Sequence, residues 1–188
     1  MPDMNGIWRR KTSSKVIDPQ VATTVAVLTL LSIGALLAFS RIGGGLHLHM
    51  PGHQGLFRIV IMMVAARAFG LPWGATMIAA GASAVDWYLP AHALDPVTPI
   101  GYFLCGIVID LGFRLAPQWR GNAIYLATVG AVANASKPFT LWLAAAAGGI
   151  QFDWLHNGLA YPFFSHLAFG IGAGLAAAGL IRVLTRRR

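Results

Sequence analysis

Six apolar stretches, divided by short polar breaks, leave this chain few ways to fold: they cover about residues 19–40, 55–70, 72–89, 96–116, 121–148 and 158–184. A helix needs roughly 20 residues to cross the hydrocarbon core of a bilayer, and the first and the last three stretches reach that length unaided. The second is the weak one, because Arg58 and Arg67 leave only eight residues between them. It crosses only where both arginines reach opposite interfaces or face protein. Charged residues make up 11% of the 188 and hydrophobic ones 56%, whereas soluble domains carry about a quarter charged residues. The 30 alanines and 22 glycines suit close helix packing inside a bilayer. The expected fold is an all-α integral membrane protein, a six-transmembrane-helix bundle over 17–188 behind a short tail at 1–16.

The basic residues orient that bundle. Arg9, Arg10, Lys11 and Lys15 precede the first stretch, and Arg182 with Arg186, Arg187 and Arg188 ends the last. The positive-inside rule puts both clusters in the cytoplasm, which demands an even number of crossings. With six, Arg67, Arg114 and Arg120 also fall inside, so 11 of the 14 basic residues lie on one side. The net charge of +8 is thereby explained by topology rather than by a nucleic-acid surface, which would want interleaved aromatics on a soluble face. Trp73 and Trp119 near the inner ends, and Trp87, Tyr88, Trp142 and Trp154 toward the outer ones, read as interfacial belts. The expected location is a bacterial inner membrane, crossed several times.

All six histidines then fall on or near the outer half. His47, His49 and His53 share the first outer loop, His92 lies in the second, His156 in the third, and His166 a few turns down the sixth span. Imidazole is a common ligand for divalent transition metals, and the spacing H-x-H-x-x-x-H brings His47, His49 and His53 within seven residues. Gating or contact with an organic ligand is favoured over metal ligation for the same residues, and a plain interfacial role is the remaining alternative. Gly43, Gly44 and Gly45 precede them and Pro51-Gly52 divides them, so the loop can take positive φ angles and fold over a cavity as a gate. The single cysteine, Cys105, excludes an intramolecular disulfide framework and a thiolate zinc site.

Polar groups inside a bilayer are costly and usually functional. Asn134 and Lys137 share a face of the fifth span just before Pro138, where a missing hydrogen bond allows local unwinding. Lys137 suits an anionic substrate or a snorkelling role. Asp86 near the outer end of the third span can pair with Lys137 or Arg58, or meet a cation. Asp110 stands four residues before Arg114, a spacing that favours an ion pair along one helix. Cys105 reads as a small packing residue. Gly170-x-x-x-Gly174 and Ala22-x-x-x-Ala26 let helix backbones approach closely.

These features resemble the substrate-binding S-component of energy-coupling factor (ECF) transporters. The resemblance covers about residues 19–185. It rests on chain length, six helices with both ends cytoplasmic, the A-x-x-x-A pattern at Ala22 and Ala26, and a long first outer loop whose MPGHQGLF segment feeds a short second helix. It implies a substrate held near the outer face under that loop, where His49, His53, Asn134, Lys137, His156, His166 and Asp86 fall. It also implies docking of Ala22 and Ala26 on a transmembrane scaffold subunit, which works with ATPase subunits. The cobalt and nickel members of that family begin with a histidine beside Met1; here Pro2 and Asp3 follow, which favours a vitamin-like organic solute over a transition metal as substrate.

The expected function is accordingly non-enzymatic: a small-molecule capture component with no resident cofactor and no nucleic-acid partner. The chain carries no GxxxxGK[ST] phosphate loop, so the energy for uptake would come from partner subunits. Two rivals stand beside it: a membrane enzyme built on a histidine-bound metal or haem, and an assembly subunit that binds neighbouring helices.

Overall fold

A computed structural model describes residues 19–45, 51–69, 73–88, 97–149 and 158–185. It contains six α-helices: α1 (Pro19–Gly45), α2 (His53–Phe69), α3 (Gly74–Tyr88), α4 (Val97–Leu115), α5 (Ala123–Gly148) and α6 (Ala160–Thr185). A single 3-10 turn, Pro117–Trp119, joins α4 to α5. No strand occurs among the described residues. By length and composition α4 and α6 are able to cross a membrane, and α1 carries a shorter apolar run, Ala22–Ala38.

Helix ends follow local chemistry. Asn122 caps α5, its side-chain oxygen accepting from the Tyr125 amide at 3.0 Å, and Gly149 closes the helix at φ 64° with its amide bonded to the Ala145 carbonyl. Both devices satisfy backbone groups that a helix end leaves orphaned. Pro99 and Pro162 sit in the first turns of α4 and α6, where a missing N–H costs nothing. Pro138 lies inside α5, yet the helix runs unbroken through it, so the unwinding expected beside Asn134 does not occur. Gly43, Gly44 and Gly45 form the last turn of α1 rather than a loop. Helix continuity outweighs the conformational freedom of three glycines there.

The short second helix is the hub. It packs against α1, α3, α4, α5 and α6 alike. Its centre, Ile59, Met62, Met63, Ala65 and Ala66, is buried. This explains how a segment with two arginines is accommodated: Arg58 faces protein and is 2% exposed, while Arg67 is exposed at the other end. Around this hub the core is made largely of small residues, including Ala75, Ala79, Ala82, Ala133, Ala173 and Ala177.

The pair α5 and α6 shares the closest backbone approach. A Cβ on Gly130 would meet the Gly170 carbonyl, and one on Gly170 would lie 2.7 Å from the Ala131 Cα. A Cβ on Gly174 would meet the Leu126 carbonyl. The expected small-residue seam on α6 is therefore real, and Gly130 supplies its counterpart on α5.

Side-chain contacts fix the direction of α2 to α6. At one end Arg58 of α2 meets Asp86 of α3, Ser83 of α3 bonds the Pro99 carbonyl of α4, and Gly52 abuts His166 of α6. At the other, Asp110 of α4 meets the start of α3 and Tyr125 of α5 bonds the Gly112 carbonyl of α4. Successive helices from α2 to α6 thus run in alternating directions. Leu30, Leu31, Leu115, Ile124 and Phe164 turn outward from the bundle, each more than 60% exposed.

Candidate functional site

A buried polar cluster occupies the end of the bundle where α2, α4 and α6 begin and α3 ends. Arg58 Nη1 donates to Asp86 Oδ2 at 2.7 Å, with both side chains 3% exposed. It is the one ion pair among the described residues, and it resolves the choice of partner for Asp86 in favour of Arg58. The Arg58 guanidinium carbon also stands 3.9 Å from the centre of the Tyr102 ring. Lys137 Nζ approaches the same ring to 4.2 Å and donates to the Tyr102 hydroxyl at 3.0 Å. Tyr102 in turn lies 3.4 Å from Gln54 Oε1. Two cations therefore share one aromatic ring, and the attraction of each for the ring's negative face is set against their mutual repulsion.

Beside this cluster, α5 and α6 hold the segment that leads into α2. Asn134, fully buried, donates from Nδ2 to the His166 carbonyl at 2.8 Å and to the Gly52 carbonyl at 3.3 Å. Its Oδ1 abuts the Gly55 backbone, where no Cβ would fit. Ser165 Oγ donates to the Pro51 carbonyl. Gly52 has φ 89°, and a Cβ there would lie 2.9 Å from the His166 Cα. Both the backbone angle and the crowding demand glycine at this position. Pro51 and Gly52 are thus latched onto α5 and α6. Asn134 serves as the clamp between three elements.

His166 is 4% exposed. Its Nδ1 lies 2.8 Å from the Pro162 carbonyl one turn earlier in its own helix, a bond that puts the proton on Nδ1. Nε2, left as an acceptor, is buried with no partner among the described residues. The His166 backbone carbonyl, rather than its ring, makes the bond to α5.

The opposite end carries a second polar contact, structural in kind. Asp110 accepts from the Thr76 amide and the Thr76 hydroxyl, both at 2.7 Å, and from the Ala75 amide at 3.3 Å. Its carboxylate thereby caps α3 from a neighbouring helix, where the N-terminal dipole favours negative charge. The ion pair expected between Asp110 and Arg114 is not formed: Arg114 stacks on Trp73, its guanidinium carbon 3.8 Å from the ring centre. Cross-helix capping satisfies two otherwise orphaned amides, which a pairing along α4 would not do. Trp73 itself stands at φ 66°, an angle costly for a bulky side chain.

Cys105 is fully buried, with Sγ 2.9 Å from the Ala133 carbonyl and 3.2 Å from that of Gly101; it packs as expected. Trp73, Trp87, Trp119 and Trp142 are all exposed. His47, His49, His92, Trp154 and His156 lie outside the described residues. His53, the first residue of α2, is half-buried. No three His, Cys, Asp or Glu side chains come together as a metal site among the described residues. Tyr102 was not foreseen, being one of two adjacent aromatics, with Phe103, in an apolar run. The usable signal was the i, i+4 pair Gln54 and Arg58, a polar face on an otherwise apolar helix that requires polar groups opposite it.

Comparison of the chain with protein-family models, curated proteins and solved structures returns no match.

Proposed function

We propose that this chain is a membrane-embedded solute-binding component of an ECF-type importer, with six spans and both termini in the cytoplasm of a bacterial cell. In this reading the Arg58–Asp86–Tyr102–Lys137 cluster lies toward the outer face and receives a small organic solute. Partner subunits supply ATP hydrolysis. The observation that carries it is the cluster itself: three buried or half-buried charges and a phenol, gathered at one end of the bundle. Such groups are expensive in a bilayer and mark substrate pathways.

Further support comes from the outward-turned leucines, isoleucines and phenylalanines, which match a lipid-facing surface. The exposed tryptophans suit the two interfaces. Ala22 and Ala26 are exposed on α1, a helix with Leu36 as its one buried residue among those described, so that α1 is open to a scaffold helix. The latch at Pro51 and Gly52 serves as the inner anchor of a gate whose remaining residues include His49.

The test is to purify the full chain in mild detergent, denature it and analyse what is released. One small organic molecule per chain, whose re-addition raises the melting temperature, is the expected result. Stoichiometric haem or iron would overturn the reading in favour of a membrane enzyme. Release of no small molecule, together with retained association with other membrane subunits, would overturn it in favour of an assembly role.

A further inference from the structure

We propose that Lys137, with Tyr102 and Arg58, binds the carboxylate of a small organic monoanion; this rests on the solute-binding reading above and names its substrate class. Among the described residues the charges around the Tyr102 ring do not balance. Arg58 and Lys137 bring two positive charges, and the one carboxylate found there among the described residues, Asp86, is taken by Arg58 at 2.7 Å. Among the described residues Lys137 meets no acid. Its single hydrogen bond goes to the Tyr102 hydroxyl, so two of the three N–H donors of an ammonium group remain for a ligand.

A purely structural lysine half-buried beside Arg58 would be expected to have an acid of its own, because an uncompensated charge in a low-dielectric setting is costly. A bound anion supplies the missing charge and separates the two cations. A cationic solute would meet the repulsion of both, and a neutral one would leave the surplus charge uncompensated. One surplus positive charge matches one negative charge, which selects a monocarboxylate over a phosphate dianion. The ring of Tyr102 offers an apolar wall beside the charge. On α6, bonded to Asn134 through its backbone carbonyl, His166 carries Nε2 as a buried acceptor without a partner among the described residues. It suits an N–H or O–H elsewhere on the same solute.

The probe is acetate, the carboxylate without a side chain, compared with acetamide and with sodium chloride at equal ionic strength. Melting temperatures are measured on the detergent-purified full chain. Acetate is expected to raise the melting temperature by several degrees more than either control. In Lys137→Met that response is lost, while the ligand-free variant melts no lower than the wild type because a surplus charge has been removed. Lys137→Arg keeps the response, and Lys137→Gln serves in place of Lys137→Met if the latter does not fold. An equal effect of acetate and acetamide on the wild type, or an undiminished acetate response in Lys137→Met and Lys137→Gln, overturns the proposal.

The compound released on denaturation separates this inference from the reading beneath it. A neutral or cationic molecule sinks the monoanion and leaves solute binding standing; no molecule, with no acetate response, sinks both. A water-soluble acid supports uptake from outside, whereas a fatty acid keeps the carboxylate chemistry and moves its source to the bilayer.

Discussion

Asp86→Asn is expected to destabilise the fold by about 3–5 kcal/mol, the range for breaking a buried ion pair from one side. The loss is read as a lower midpoint in denaturing-detergent titration of the purified chain. Its size comes less from the attraction removed than from the charge left behind. Without Asp86, Arg58 and Lys137 share one ring with no acid beside them among the described residues. Arg58→Met is expected to cost less, because the abandoned carboxylate retains a cation in the same cluster, Lys137. The double variant Arg58→Met/Asp86→Leu should recover most of the loss, since a well-packed apolar pair often replaces a buried ion pair at little cost. Equal midpoints for Asp86→Asn and the wild type would mean that the cluster is open to water rather than buried.

Gly170→Ala carries the second large effect, about 2–3 kcal/mol of destabilisation from a single added carbon. In a helix interior, glycine to alanine ordinarily gains up to about 1 kcal/mol. That gain is expected at Gly179 on the same helix, where a Cβ would meet nothing within 4 Å. At Gly170 the new carbon meets the Gly130 backbone instead, and two helix backbones must separate to admit it. The two substitutions therefore shift the melting temperature in opposite directions. A stabilised Gly170→Ala would show that α5 and α6 do not pack at this distance.

These two sites also mark what was legible in the chain. The spacing Gly170-x-x-x-Gly174 announced a close approach, because small residues one turn apart form a groove whatever its partner. It did not identify Gly130, since a pattern on one helix carries no information about which helix fills it. Helix limits were readable to within two residues from α3 to α6, where proline, glycine or a charge punctuates each apolar run. They failed at the end of α1, where three glycines look like a loop and are helical.

Asp110 misled for a physical reason. Its nearest cation in sequence is Arg114, but the bare amides at the start of α3 form the stronger partner and come from Ala75 and Thr76, 35 and 34 positions away. Lys137 and Asn134 stood out as polar residues in an apolar span. Their separate duties, one an available donor and the other a clamp on Gly52 and His166, appeared only once three helices were brought together.

Sidedness decides the account, and α5 offers both of its ends for testing. In right-side-out vesicles, cysteine is introduced at Ala147, exposed near the end of α5, or at Gln118, exposed in the 3-10 turn before it. The buried Cys105 stays in place as an unreactive background. A membrane-impermeant maleimide is expected to modify Ala147→Cys directly and Gln118→Cys only after permeabilisation. Modification of Gln118→Cys in sealed vesicles, with Ala147→Cys protected until they are opened, would put the charged cluster on the cytoplasmic side and contradict capture of a solute from outside.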